Sequence, residues 1–121
     1  MKVIVVDDES RLAKMISDLL ELEGVNCGWF DDSSIAYEEI LKHKPAIVVS
    51  DIVMPLLDGL ELMKKVNQSL GDIKFIFFSG QNPYSDDTLL NQGAQKVFQK
   101  PQDLQDVFSY VEEHLGFNNE A

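Results

Sequence analysis

Short runs of branched apolar residues recur along the chain and predict strands separated by helices. The predicted strands cover residues 2–6, 25–30, 46–50, 73–78 and 95–98. Two of these strands contain unbroken apolar triplets, Ile4-Val5-Val6 and Ile47-Val48-Val49. Continuous apolar runs of this length are typical of strands covered on both faces, as in a parallel sheet.

Between these runs, apolar residues recur at a spacing of three or four, which predicts amphipathic helices. The stripes are Leu12, Met15, Ile16, Leu19 and Leu22, then Leu60, Met63, Val66 and Leu70, then Leu104, Val107, Phe108, Val111 and Leu115. Residues 33–43 form a further helical pattern, and residues 83–92 a weaker one with Asn82 as its cap and Pro83 as its first residue. We interpret Leu12 and Met15 mainly as core residues, with docking to a partner as the alternative.

The alternation of strand and helix predicts an α/β protein in which a parallel sheet carries helices on both faces. The chain has 121 residues, which is the size of one domain. We therefore expect a single domain over residues 1–121, with its core in 2–115 and a frayed tail at 116–121.

Composition narrows the possible partners. The chain has 10 Lys and Arg against 21 Asp and Glu, a net charge of -11, which disfavours binding to nucleic acid or to an anionic membrane. Its single cysteine, Cys27, excludes an internal disulfide and a cysteine-rich metal site. The first apolar run is too short for a signal peptide and no run has the length of a membrane span, so a cytoplasmic protein is expected.

Polar residues follow all five predicted strands at the point where each strand ends. Asp31-Asp32, after the second strand, are interpreted as helix caps or solvated charges. The other four groups are Asp7-Asp8-Glu9, Asp51, Ser79-Gly80 and Lys100-Pro101. In a doubly wound sheet, ligands bind outside the carboxyl ends of the strands, so these side chains mark the candidate site. Carboxylate oxygens without Cys or His favour a hard ion such as Mg²⁺ over zinc. The alternative for Asp7 and Asp8 is a simple helix-capping role.

Asp51 has the surroundings that phosphoryl chemistry requires. A carboxylate beside a divalent cation can attack a phosphoryl group and form an aspartyl phosphate. The ammonium of Lys100 would pair with phosphoryl oxygens, and the hydroxyl of Ser79 would donate to another of them. Individually, each residue also has an ordinary interpretation as a loop aspartate, a turn serine or a solvated lysine.

Taken together, these residues resemble the response-regulator receiver domains of two-component signalling, in particular single-domain, chemotaxis-regulator-like ones. The matching motifs are Asp7-Asp8-Glu9, Asp51 with Met54-Pro55 and Asp58-Gly59, Ser79-Gly80, and Lys100-Pro101. The resemblance covers residues 2–115. It implies a flavodoxin-like (βα)5 fold with a five-stranded parallel sheet in the order 2-1-3-4-5.

The resemblance also implies roles for individual residues. Asp51 would be the phosphoacceptor, and Mg²⁺ would be held directly by Asp8, through water by Asp7, and by the backbone carbonyl of Val53. Ser79 would be the hydroxyl that moves toward the phosphoryl group. Lys100 would pair with its oxygens and form a cis peptide bond with Pro101.

The partners that the resemblance implies are a histidine kinase or histidine phosphotransfer protein as phosphoryl donor, and a downstream protein that the sequence does not identify. The chain would be a signalling switch and not an enzyme acting on external substrates, apart from its own phosphorylation and dephosphorylation.

This sequence departs from the family pattern at three places. The position three residues before the lysine, where the family often has Tyr or Phe, holds Val97, and the neighbouring Phe98 should face the other side of the strand. Gln102 stands where an apolar residue is common. Residues 85–88 are acidic and 105–114 contain no Arg or Lys, so we do not expect the dimer of DNA-binding regulators.

Two other functions have the same general topology. A Mg²⁺-dependent phosphohydrolase with an Asp nucleophile usually has a second Asp two residues later for proton transfer, and here that residue is Val53. A flavin electron carrier needs a Ser-, Thr- or Gly-rich phosphate loop after the first strand, where this chain has three acidic residues.

Overall fold

Each predicted apolar run forms a strand in the computed structural model, which describes residues 1–115. The elements are β1 (Val3–Val6), α1 (Ser10–Leu22), β2 (Cys27–Phe30), α2 (Ser33–His43), β3 (Ile47–Ser50), α3 (Gly59–Ser69), β4 (Lys74–Ser79), α4 (Asp86–Asn91), β5 (Lys96–Gln99) and α5 (Leu104–Leu115). The predicted frayed tail at 116–121 lies outside the described residues. Among residues 1–115, no helix is long and apolar enough to cross a bilayer.

The strands form one sheet in the order β2-β1-β3-β4-β5, with all pairs parallel. The predicted fold class and strand order are therefore confirmed. At its carboxyl end β1 aligns Val6 with Phe30 of β2 and with Ser50 of β3. This register places the residues that follow β1 and β3 side by side at one edge of the sheet.

Side chains of the central strands alternate between two apolar layers. Ile4 and Val6 of β1 face the layer that α2 and α3 cover, and Val3 and Val5 face the layer that α1 and α5 cover. All four residues of β1 are buried, as are those of β3. The continuous apolar runs thus reflect strands that bury both faces, which is the main source of stability for such a sheet.

The buried face of α1 differs from the predicted one. Met15 was expected in the core, but it is 39% exposed, and Leu22 is 81% exposed. The helix instead buries Ala13, Ile16, Ser17 and Leu20. Two of these are small residues that the apolar pattern does not emphasise. Met15, Leu19 and Leu22 of the predicted stripe therefore lie off the core face, whereas Ile16 is buried in it and Leu12 packs half-buried against it.

Helix α4 is shorter than predicted and begins later. Its cap is Ser85, whose hydroxyl accepts a hydrogen bond from the Thr88 amide at 3.1 Å. Asn82 was expected to cap this helix, but its side-chain oxygen accepts from the Tyr84 amide at 2.9 Å and so closes a turn before the helix. Asn-Pro pairs are compatible with both a turn and a helix start, and here the turn is formed.

Candidate functional site

The carboxylates of Asp7, Asp8 and Asp51 lie together at the carboxyl edge of the sheet. Each offers an oxygen within 4.8 Å of an oxygen of the others. The Asp51 amide donates to the Val6 carbonyl at 2.9 Å, which continues the pairing of β1 and β3 beyond the last strand residue. Asp7 and Asp51 are 3% and 7% exposed, whereas Asp8 is open to solvent. The parallel register of β1 and β3 is therefore what creates this acidic cluster.

Lys100 follows β5, the strand at the far end of the sheet, and its side chain reaches across to the cluster. Its ammonium nitrogen lies 2.8 Å from Oδ2 of Asp7, 3.1 Å from Oδ2 of Asp51 and 3.3 Å from Oε1 of Glu9. Its amide donates to the Ser79 carbonyl at 3.1 Å, and the Lys100-Pro101 bond is cis, as expected. The contact with Glu9 was not predicted, because nothing in the local pattern indicates which way that exposed side chain points.

Burial and ion pairing shift the proton affinities of these groups. Burial raises the pKa of the Asp7 carboxyl to about 6, although hydrogen bonds from Lys100 and the Glu9 amide act against this rise. Burial lowers the pKa of the Lys100 ammonium, but its hydrogen bond with Asp7 and the charges of Asp7 and Asp51 outweigh that effect and raise it to about 12. Lys100 therefore stays positively charged beside Asp51 at neutral pH.

Ser79 completes the environment of the Asp51 carboxylate. Its hydroxyl lies 2.7 Å from Oδ1 of Asp51 and 2.6 Å from the carbonyl oxygen of Gln81. The Ile52 amide also donates to Oδ1 of Asp51 at 2.7 Å. One carboxylate oxygen thus faces a hydroxyl and an amide, while the other faces the ammonium of Lys100.

The start of α3 packs directly under the Asp51 backbone. The Gly59 amide donates to the Ile52 carbonyl at 2.7 Å, and a Cβ at Gly59 would lie 2.3 Å from the Asp51 carbonyl oxygen and 2.8 Å from the Phe77 ring. Asp58 caps this helix in a capping box with Glu61. Asp58 and Gly59 thus form the start of α3, and the close approach of the two backbones explains why position 59 lacks a side chain.

The donor set suits a hard divalent cation. Three carboxylates supply oxygen ligands only, which is the chemistry that Mg²⁺ prefers. Asp8, Asp51, Val53 and Lys100 line one cleft of about 370 Å³. The loop that carries Val53 therefore opens onto the same space as the carboxylates.

A second cavity adjoins the site and was not predicted. It has a volume of about 420 Å³, and its lining includes Ile52, Ser79, Asn82 and Val97. Val97 packs against the α2–α3 layer, whereas Phe98 packs against the α1–α5 layer, so the predicted opposite orientation of these side chains is confirmed. Ser79 lines both this cavity and the cleft above the carboxylates.

Comparison with known families and proteins gives a consistent result. The chain matches the response regulator receiver domain family over residues 3–112. It is 29% identical to the response regulator receiver protein CpdR of Brucella abortus, with 94% of this chain and 96% of that protein covered. It is 38% identical to a protein-glutamate methylesterase/protein-glutamine glutaminase of Syntrophomonas wolfei over 93% of this chain, but over 34% of that longer protein.

A solved structure supports the fold. The chain is similar to a CheY-like response regulator receiver domain protein from Methanospirillum hungatei, with a TM-score of 0.85 and 23% identity. That similarity covers 98% of this chain and 97% of the solved one. The arrangement of strands and helices is therefore that of known receiver domains.

Proposed function

Because the chain belongs to the response regulator receiver domain family, we propose that it is a phosphorylation-activated switch in which Asp51 accepts a phosphoryl group. The observation that carries the proposal is the position of the Lys100 ammonium, 3.1 Å from Oδ2 of Asp51 and within the acidic cluster. A nucleophilic carboxylate, a fixed cation and a set of oxygen ligands then surround one point. These are the groups that phosphoryl transfer to a carboxylate needs.

The donor in this proposal is a phosphohistidine on a histidine kinase or a phosphotransfer protein. An oxygen of Asp51 attacks the phosphorus, the phosphorus–nitrogen bond breaks, and an acyl phosphate forms. The ammonium of Lys100 pairs with the phosphoryl oxygens while the phosphoryl group passes from the histidine to Asp51. Mg²⁺, held directly by Asp8 and the Val53 carbonyl and through water by Asp7, would supply further charge neutralisation.

In this proposal, reorientation of the Ser79 hydroxyl transmits phosphorylation of Asp51 to the protein surface. A hydroxyl has one proton, and in this structure it lies near two acceptors, Asp51 and the Gln81 carbonyl. A phosphoryl group adds stronger acceptors on the Asp51 side, so the hydroxyl would turn toward it. The loop that contains Gln81 then loses a hydrogen bond, and the changed surface alters affinity for a downstream protein.

The test is chemical phosphorylation followed by measurement of intact mass. The protein is incubated with acetyl phosphate and Mg²⁺, and we expect the mass of one added phosphoryl group. Asp51→Asn should gain none, whereas Asp31→Asn, which changes an exposed carboxylate at the end of β2, should gain one as the parent does. Absence of phosphorylation in the parent, or its persistence in Asp51→Asn, would contradict the proposal.

The phosphohydrolase alternative has less support at this site. It needs a proton-transferring carboxyl group two residues after the nucleophile, and the Val53 side chain cannot transfer protons. We infer that turnover is limited to loss of the protein's own phosphoryl group. Sustained release of inorganic phosphate from an excess of several phosphate esters, lost in Asp51→Asn, would instead establish the hydrolase.

A further inference from the structure

Tyr84 links two loops that flank the phosphorylation site. Its hydroxyl donates to Oδ2 of Asp58 at 2.5 Å. Tyr84 lies in the connection between β4 and α4, residues 80–85, which we call the β4–α4 loop. Asp58 is the cap of α3. The bond therefore joins the loop that follows Ser79 to the helix that follows Asp51.

The Asp58 end of this link is held rigidly. The other carboxylate oxygen of Asp58 accepts from the Glu61 amide at 2.8 Å, and the Asp58 amide donates to the Glu61 carboxylate at 2.8 Å. The next residue, Gly59, packs against the backbone of Asp51. Asp58 is thus fixed relative to the phosphoacceptor and gives the β4–α4 loop a firm attachment point.

Further hydrogen bonds hold the β4–α4 loop near Tyr84. The Tyr84 amide donates to the side chain of Asn82 at 2.9 Å, and the Ser79 hydroxyl lies 2.6 Å from the Gln81 carbonyl. Ser85, the cap of α4, follows Tyr84 directly. The position of the Tyr84 ring therefore sets where the loop runs and where α4 begins.

The loop has space to move away from α3. It borders the cavity of about 420 Å³, whose lining includes Gly80 and Asn82 of the loop and Val97 of β5. The β4–α4 loop therefore lies between an attachment on α3 and an open space above β5.

The geometry points to Tyr84 and Asp58 as a positioning pair that holds the β4–α4 loop in its resting place on α3 and opposes the phosphorylated state. The inference rests on the proposed function of Asp51. When the Ser79 hydroxyl turns to the phosphoryl group, the loop loses its bond at Gln81. Breaking the Tyr84–Asp58 bond then releases the loop toward the cavity above Val97.

The proton affinity of the tyrosine agrees with this geometry. The hydrogen bond to Asp58 is the main cause that raises the pKa of Tyr84 to about 12. The hydroxyl therefore remains protonated and able to donate throughout the physiological range. The interaction is a charge-assisted hydrogen bond, which is stronger than a bond between neutral groups.

The experiment compares the parent with Tyr84→Phe, which removes the hydroxyl and keeps the ring. Affinity for beryllofluoride in the presence of Mg²⁺, which mimics the phosphoryl group on a carboxylate, is followed by NMR at the Gly80 and Gln81 amides. Loss of the bond raises the fraction of protein in the binding-competent state. We expect Kd for beryllofluoride to fall by about three- to tenfold.

Three variants separate this role from a general effect on folding. Tyr37→Phe removes the hydroxyl of a tyrosine that is 3.5 Å from Ser69 and does not contact Asp58. It should bind beryllofluoride as the parent does. Asp58→Asn should tighten binding, and adding Tyr84→Phe to it should give no further gain, because the two residues act as one pair.

The outcomes distinguish a failure of the Tyr84–Asp58 pair from a failure of the proposed function of Asp51. A parent that takes up no phosphoryl group and no beryllofluoride would overturn both proposals. A parent that binds, with Tyr84→Phe binding equally or more weakly, would overturn the positioning pair and leave the role of Asp51 intact. A gain in Tyr37→Phe equal to that in Tyr84→Phe would also overturn it, since the effect would then not depend on the bond to Asp58.

Discussion

The ammonium nitrogen of Lys100 lies 2.8 Å from Oδ2 of Asp7, which ties the end of the fifth strand to the end of the first. The two strands are separated in the sheet by β3 and β4. Only 13% of the Lys100 side chain and 4% of the Asp7 side chain are exposed. Such a buried ion pair adds little when it is complete, but removing one partner leaves a charge in a poorly solvated place.

Replacement of the lysine should therefore destabilise the protein when Mg²⁺ is absent. In Lys100→Met, the carboxylates of Asp7 and Asp51 lose the ammonium that both contact. We expect the free energy of unfolding, measured with urea in the presence of a chelator, to fall by about 3 kcal/mol. Addition of Mg²⁺ should recover more stability in this variant than in the parent, because the cation would replace the missing charge.

A surface ion pair provides the matched control for that measurement. Lys14 lies 2.6 Å from Asp18, but 60% and 50% of these side chains are exposed. Lys14→Met should change the free energy of unfolding far less than Lys100→Met does, because solvent screens an exposed pair. Equal losses in the two lysine variants would show that the burial of Lys100 has no energetic consequence.

Stabilisation by Mg²⁺ should depend on Asp8. The exposed carboxylate of Asp8 shares the cluster with Asp7 and Asp51, so its conversion to an amide removes a ligand without disturbing the buried pair. We expect Mg²⁺ to raise Tm of the parent and of Asp31→Asn, and to raise Tm of Asp8→Asn much less. An equal rise in all three proteins would mean that the ion binds elsewhere.

The acidic cluster should also give the stability a pH dependence. Burial raises the pKa of Asp7 to about 6 from its usual value of 3.8, so between these values the folded chain binds a proton more tightly than the unfolded chain. In chelator, the free energy of unfolding should therefore fall as pH rises from about 4 to about 6, by up to about 2 kcal/mol from this residue.

The control for that dependence is Asp7→Asn, which cannot ionise. The difference in unfolding free energy between parent and variant isolates the contribution of Asp7 from that of other groups. As pH rises from about 4 to about 6, the variant should become more stable relative to the parent, and above about 6 the difference should level off. A difference that stays constant with pH would show that the Asp7 carboxyl is not perturbed.

The fold was predictable because a strand that is buried on both faces has a continuous apolar run in the sequence. The apolar runs of β1 and β3 have no polar position to interrupt them, and all their residues are buried. Where the buried residues are small, the apolar pattern is weaker. In α1, for example, Ser17 is buried while Met15 is exposed. The start of α4 was mispredicted because Asn82 takes part in a turn instead.

The candidate site was predictable as far as topology determines it. Residues at the ends of parallel strands share one edge, so the convergence of Asp7, Asp51 and Lys100 follows from strand order. The contact between Tyr84 and Asp58 does not, because it depends on how a loop side chain crosses to another helix. Tertiary contacts of this kind have no periodic pattern, and only the packed structure reveals them.

Gly59, which packs against the backbone of Asp51, should tolerate substitution poorly. In Gly59→Ala the new Cβ would meet the Asp51 carbonyl oxygen at 2.3 Å, and backbone on that side cannot rotate away as a side chain could. We expect a loss of about 2 kcal/mol in unfolding free energy, together with slower phosphorylation by acetyl phosphate at a temperature where the variant is folded. At Gly71 a Cβ would have no atom of residues 1–115 within 4 Å. Gly71→Ala should therefore be neutral or slightly stabilising, with unchanged phosphorylation, and an equally mild effect of Gly59→Ala would show that α3 can shift without moving Asp51.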